Sequence, residues 1–348
     1  MSRPAVPLDD LRFPWPGTAA SGYQGEVAPG IHWLRLPLPF KPEDHINVWL
    51  LQDDDGYAVI DTGLADATTR ALWEAALAQV PGPANVRRVY VSHHHPDHIG
   101  LTRWFADHFG AAIHLPARER ELACHLFDPA SDGELAGFYR AHGMPIDRDD
   151  FVGMRHRFFR THVQALPERF VALEDGDAFP WGDATWQVRL AGGHTPAHLL
   201  LHCPAKGVLI TGDHILPEIV TNIGALSFDP QTRAVANYLA SLETCADLPA
   251  DTLVLPAHGL PFTGLRARCT QLGGIHRVRL NGVLRACARG ESVWNMLPSI
   301  YGRELTGLGA LLGFNQTKAY LDYLADQGRV AAHPDDDGIV RYRQIEAA

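Results

Sequence analysis

Apolar and polar residues alternate in short bursts along the first part of the chain. GIHWLRLPL (30–38) and INVWLLQ (46–52) read as strands, DDDG (53–56) as a turn, and YAVIDTG (57–63) as a third strand that ends near Asp61. ATTRALWEAALAQV (67–80) places its apolar residues at helical spacing and stops at PGP. A strand at VRRVYVS (86–92), a helix at IGLTRWFADHFG (99–110) closed by Gly110, and a short strand at AAIHLP (111–116) follow. From Ala117 to about Phe170 the chain is helical in spacing and rich in charge, with no strand-like run. That predicts an insertion between two sheet-rich halves. Strands return at RFVAL, TWQVRLAGG, HLLLHC and GVLITGD, and TLVLPAHG (252–259) closes this part.

The two ends differ from this middle. Residues 1–24 are rich in Pro and Gly without periodicity, which predicts an extended arm. After about Leu265 the pattern is helical, in IHRVRLNGVLRACARG, SVWNMLPSIYG and QTKAYLDYLADQG. It ends in RVAAHPDDDGIVRYRQI, a hairpin built on DDDG. The expected organisation is an arm (1–24), a main domain (25–265) with its helical insertion (117–170), and a small domain of three helices and a two-stranded wing (266–348). NVWLLQDDDGYAVIDTG and AHLLLHCPAKGVLITGD echo each other as hairpins ending near an aspartate. Two facing sheet units or convergent hairpin chemistry explain the echo equally well.

Composition narrows the function. The chain has 348 residues and a formal net charge of −10, a poor match to nucleic-acid binding, which leans on basic surface. Its five cysteines are scattered, with no C-x-x-C, so a reducing cytoplasm is expected rather than a disulfide framework. MSRPAVPLDDLRFPWPG has no apolar core of a secretion signal, and no run of about 18 apolar residues predicts a membrane span. In the tail from His276 onward, nine basic residues face eight acidic ones. That balance points to packing, homodimer formation or covering of a site rather than to phosphate binding.

Nineteen histidines are the compositional oddity. Four of them, with one aspartate, crowd into His93–His98 directly after a β-prone run, VYVSHHHPDH. Imidazole is the commonest metal ligand and carboxylate a good one. Alternation along an extended segment sends His93 and His95 to one side and His94 to the other, while Asp97 and His98 fall at the turn into the next helix. One short turn cannot easily close around an ion. His194 in LAGGHTPAH, Asp213 in LITGDHIL and His258 in LVLPAHGLP each stand at a strand-to-loop transition flanked by Gly or Pro, where side chains face a shared cleft.

His93-x-His95-x-Asp97-His98, then Gly193-His194-Thr195, Gly212-Asp213 and His258-Gly259, resemble the metallo-β-lactamase-fold hydrolase superfamily, nearest its glyoxalase-II-like type. The resemblance runs from about Gly25 to Leu265, and the tail resembles a winged-helix-like domain found in one branch. It implies an α/β fold, the αββα four-layer sandwich, and a dinuclear metal site. His93, His95 and His194 would hold one ion, Asp97, His98 and His258 the other, and Asp213 would bridge them. Asp61, in the family's D-T-G position, would orient a ligand imidazole from behind. As a turn carboxylate, Asp61 would instead bond its own backbone. Ser92 stands where the family usually has Thr and keeps the hydroxyl.

The implied chemistry is hydrolysis of a small ester, thioester (acyl-CoA or glutathione type) or lactone by hydroxide shared between two divalent ions, with Asp97 moving the proton. Zinc fits the His/Asp donor set, as do Fe and Mn. The alternatives are a nuclease or phosphodiesterase and a non-catalytic metal- or ligand-binding protein; an oxidative di-iron enzyme lacks its usual flavodoxin-like partner. MRHRFFRTHV (154–163) suggests a substrate pocket in which Arg155 pairs with an anion while Phe158 and Phe159 hold an acyl chain, with His214 beside the site. The plainer reading of that segment is an amphipathic helix with a solvated basic face.

Overall fold

The structure is a computed structural model that describes residues 10–15, 20–40, 43–145, 157–225 and 232–345. Strands β1 (Gly22–Ala28), β2 (Ile31–Pro37), β3 (His45–Asp53) and β4 (Gly56–Ile60) form an antiparallel meander. Helix α1 (Ala67–Leu77) leads to β5 (Val86–Tyr90), and α2 (Pro96–Ile99) and α3 (Thr102–Phe109) lead to β6 (Ala112–Pro116). Helices α4 (Ala117–Phe127), α5 (Asp132–Ala141) and α6 (157–162) precede β7 (Val171–Leu173). β7 completes a seven-stranded sheet whose order follows the chain, with β4 to β7 parallel.

The second sheet holds β8 (Ala178–Trp181), β9 (Ala184–Ala191), β10 (His198–Cys203), β11 (Val208–Gly212) and β12 (Leu253–Pro256), in the order β12-β11-β10-β9-β8. β11 and β12 are parallel, so a crossover must join them, and α7 (Ala234–Ala246) lies between them. α7 is an addition to the strands that the sequence pattern predicts for this half. The chain continues through α8 (Leu265–Ala286), α9 (Val293–Tyr301), α10 (Gly307–Asp326) and the hairpin β13 (Val330–Pro334)–β14 (Val340–Gln344), as the tail's pattern predicted.

Three cores make four layers. Between the sheets, Trp33, Trp49, Leu51 and Ile60 meet Trp186, Val188, Leu199, Leu201 and Ile210. The intervening positions Leu34, Val48, Leu50 and Val59 face outward onto Trp73, Trp104 and Phe105 of the helices. On the other side, Leu200 and Leu209 pack with Tyr238, Leu272 and Phe314. Strands buried on both faces lose polar alternation, so they read in sequence as continuous apolar runs.

Two boundaries move from their predicted places. β1 lies partly within the expected arm; Gly22 and Gly25 have φ of 121° and 109°, and its pairing with β2 slips twice, so no clean alternation marks it. The helix predicted over 99–110 is two helices, broken at Gly100-Leu101.

Over its described residues the segment 117–170 carries α4, α5 and α6 joined by loops, and it reaches the tail. Leu135, Tyr139 and Met144 join the same core as α8 to α10, and the Tyr139 hydroxyl donates to Asn315 Oδ1 at 3.1 Å. The tail in turn holds the loop after β11. Buried Arg268 donates to the carbonyls of Leu216 (2.6 Å) and Ile219 (2.7 Å), and the Asn315 carbonyl accepts from the Ala225 N–H at 3.0 Å. Among the described residues no helix is long and apolar enough to cross a membrane.

His276 of α8 is fully buried with Nδ1 2.7 Å from the Tyr320 hydroxyl of α10. Burial, aided by Arg279, pushes it down to about 3. The folded state therefore keeps it neutral, while an unfolded chain takes up a proton near pH 6.5. Its contribution is present above that pH and lost as pH falls toward about 3. His276→Phe is expected to flatten the acid-side decline in stability by up to about 1.4 kcal/mol per pH unit, read from urea midpoints across that window.

Candidate metal centre

The donor residues sit at the ends of strands that point to one edge of the sandwich. β4 runs into Asp61, β5 into His93–His98, β9 toward His194, β11 into Asp213 and β12 into His258. One potential ligand atom from each of His93, His95, His194 and Asp213 lies within 4.8 Å of the others, and Asp97, His98 and His258 form a second such group. His93 Nε2 is 2.8 Å from His95 Nδ1, and His194 Nε2 lies 3.3 Å and 3.1 Å from those two atoms.

Asp213 reaches both groups. Its Oδ2 is 3.5 Å from His194 Nε2 and 4.0 Å from His93 Nε2, while Oδ1 is 3.5 Å from His98 Nε2 and 3.1 Å from His258 Nε2. Asp97 Oδ2 stands 3.5 Å from His98 Nε2 and 3.8 Å from His258 Nε2.

The outer nitrogens are committed elsewhere. His194 Nδ1 donates to the Asn222 carbonyl at 2.8 Å and His258 Nδ1 to the His45 carbonyl at 2.6 Å. His98 Nδ1 donates to Asp61 Oδ2 at 2.9 Å. Ser92 Oγ donates to the same Asp61 oxygen at 2.8 Å and lies 3.0 Å from His93 Nδ1, where it accepts. Each of these four rings is thereby fixed with its Nε2 lone pair turned inward. Buried His98 Nε2 and Asp213 Oδ1 have no hydrogen-bond partner. Orphaned buried acceptors are costly unless a cation takes them up, so the donor set fits divalent metal ions.

Electrostatics follow from the same crowding. Burial works against the Asp213 charge, yet His258 and His98 outweigh it and hold the carboxyl well below the usual range. Burial also opposes a charge on His98, but Asp97, Asp61 and Asp213 raise it well above an ordinary histidine. Against the same penalty, Asp213 and Asp97 raise His258 to about 9, so a bound cation would take the place of the proton that Nε2 of His98 and His258 otherwise holds toward the carboxylates. His93 lacks that compensation; burial and four neighbouring imidazoles push it far down.

Asp61 holds the histidine loop from behind. Besides His98 and Ser92 Oγ it accepts the Ser92 N–H at 2.7 Å, and it alone among non-glycine residues described has a positive φ, 64°. Aspartate tolerates that backbone better than most residues. Thr62 beside it donates to the His98 carbonyl at 2.8 Å and accepts from the Leu101 N–H, pinning α2.

Other supports are absent from the sequence motifs. Asn47, buried in β3, donates to the carbonyls of Pro256 (3.0 Å) and Gly259 (2.8 Å) and bridges β3 to the His258 loop. An asparagine inside the apolar run INVWLL was the available signal, because a buried amide needs partners. His198, to which the sequence pattern assigns no role, stacks on His93 at 4.7 Å and accepts from the Asp213 N–H at 3.2 Å. Gly212 has φ 49°, and a Cβ there would come within 2.6 Å of the His198 ring.

The expected pocket residues disperse. Phe158 stacks on His162 and lies 5.3 Å from Phe40. Phe159 is instead a core residue, 1% exposed and packed on Phe127, and His214 is fully buried with Nε2 on Ser241 Oγ at 2.6 Å. Burial takes both side chains away from solvent. Arg155 lies outside the described residues.

Asp61→Asn tests the support behind His98, since asparagine accepts the same backbone and removes the charge. The expected outcome is a folded protein with metal affinity lowered about 10–100-fold in chelator competition.

Comparison with known proteins agrees with this geometry. Residues 42–258 match the metallo-beta-lactamase superfamily. A crystal structure of a beta-lactamase domain protein from Burkholderia ambifaria is 34% identical, covers 98% of this chain and 99% of its own, and superposes with a TM-score of 0.86. The probable metallo-hydrolase YqjP of Bacillus subtilis (strain 168) is 24% identical over 86% of this chain and 93% of its own. The human acyl-coenzyme A thioesterase MBLAC2 is 27% identical over 66% of this chain and 78% of its own. A hydroxyacylglutathione hydrolase from Albidiferax ferrireducens is 24% identical over 67% and 69%. With its sandwich of two sheets and its His/Asp donors at the strand ends, this chain belongs to the metallo-β-lactamase superfamily of hydrolases.

Proposed function

We propose that the chain hydrolyses a small thioester, of acyl-CoA or glutathione type, at a site holding two divalent cations. His93, His95 and His194 would hold one ion, Asp97, His98 and His258 the other, and Asp213 would give one oxygen to each. Zinc suits this nitrogen–oxygen set, as do iron and manganese. The observation that carries the reading is the set of four imidazoles with engaged outer nitrogens and inward Nε2 lone pairs around Asp213. When bound, the ions would supply Lewis acidity at the carbonyl and lower the pKa of nearby water to about 7.

The chain's own groups do the rest. Asp97 Oδ2 would accept a proton from the attacking water and return it to the departing thiolate. Asp213, between the two groups, sets their spacing. Burial of His93, His98 and His258 excludes bulk water from the donors and strengthens each charge–charge interaction.

The thioester choice draws on the named activities of two relatives, an acyl-coenzyme A thioesterase and a hydroxyacylglutathione hydrolase. The apolar pair Phe40–Phe158 also supports it, as a surface suited to an acyl group. In this reading residues 25–265 are the catalytic unit, 117–170 shape the pocket, and 266–348 are a winged-helix-like appendage. All five cysteines are free, which supports a cytoplasmic setting.

Metal-assayed protein run against thioesters, lactones and phosphodiesters tests the proposal. Thioester turnover that stops on chelation and returns with metal is expected. His95→Ala is expected to lose at least the roughly 10–100-fold that follows loss of an outer support. Phosphodiester cleavage without thioester cleavage would overturn the substrate class, and full turnover and metal content in His95→Ala would overturn the site.

A further inference from the structure

Glu119 is absent from every motif of the site, yet its carboxylate is among the most deeply buried polar groups in the chain, at 0% exposure. It stands in the first turn of α4, where the helix insertion begins. One oxygen, Oε2, accepts from His94 Nδ1 at 2.6 Å and from the His94 backbone N–H at 3.2 Å. The other, Oε1, accepts from the Ala197 N–H at 2.8 Å.

These contacts fall on two separate loops. His94 sits between His93 and His95, after β5 of the first sheet. Ala197 lies three residues beyond His194, after β9 of the second sheet, and directly before His198, which stacks on His93. Holding both the ring and the backbone N–H of His94 fixes the bend that carries His93 and His95 on either side of it. Anchoring Ala197 sets the distance between that pair and His194.

We infer that Glu119 is a positioning residue for the His93–His95–His194 group, one carboxylate that buckles two ligand loops from opposite sheets. The inference rests on the reading of that group as a metal site. A carboxylate alone serves both loops, because it offers two acceptors and no donor. In Glu119→Gln the amide keeps one acceptor but turns an N–H toward the other loop's N–H, so one anchor is lost at nearly constant volume.

The test is a cobalt titration of metal-free protein, read by visible absorption and by chelator competition. His95→Ala marks which binding step belongs to this group. In Glu119→Gln that same step is expected to weaken about 10–100-fold while the other stays within about twofold. Glu121→Gln, on the exposed side of α4 where Glu121 pairs with Arg118 at 2.6 Å, is expected to bind as wild type.

Two unchanged steps would overturn the inference. So would equal weakening of both steps in parallel with the unfolding midpoint of the metal-free protein, the mark of a general structural role. Should Glu119→Gln fail to fold, Glu119→Asp, which keeps the charge but falls short of spanning both loops, is titrated instead; wild-type binding there would equally overturn it. A wild-type protein that takes up no cobalt sinks the metal-site reading itself, whereas cobalt uptake that is indifferent to Glu119 sinks the buckle alone.

Discussion

The Asp213 carboxylate, with one oxygen turned to each of two imidazole groups, is the interaction around which the rest of the structure is arranged. A buried anion is tolerated only with partners that compensate its lost hydration. His98 and His258 supply that compensation, and His93 and His194 face its other oxygen. The demand propagates outward. The four rings whose Nε2 faces Asp213 have their far nitrogens satisfied by the Asn222 and His45 carbonyls, Asp61 and Ser92.

The sandwich explains why such a group can assemble. Parallel strands β4 and β5 in one sheet and β11 and β12 in the other end at the same edge. Loops at strand ends carry the chemistry while the strands between them stay rigid. Cross-braces then join the loops. Asn47 ties β3 to the His258 loop, and Asp61 ties β4 to the loop after β5. The tail takes part, since Arg268 and Asn315 hold the loop whose Asn222 carbonyl orients His194. Helices distant in sequence thus bear on a donor at the strand ends.

Much of this was legible in the chain. The histidine loop, Asp61, His194, Asp213 and His258 each stood beside a strand-like run, and their order carried the family resemblance. The two-sided strands were legible as continuous apolar runs, and the tail's three helices and hairpin by their period. β1 escaped because its glycines and pairing slips erase alternation, and α7 because the parallel pairing of β11 and β12, which requires a crossover, exists only in the folded sheet. Phe159 and His214 are buried, which their short segments did not reveal, because local pattern does not say which layer a side chain enters.

By itself, the sequence determined which side chains could hold a metal and roughly which strand ends bear them, since residue type and local period are properties of short stretches. Tertiary structure alone decided which nitrogen of each imidazole faces inward, how Asp213 divides its oxygens, and that Asn47, His198 and Asn222 stand behind the donors. Those facts depend on hydrogen bonds between residues far apart in the chain, His258 to His45 or His194 to Asn222, and no local pattern encodes a partner so distant.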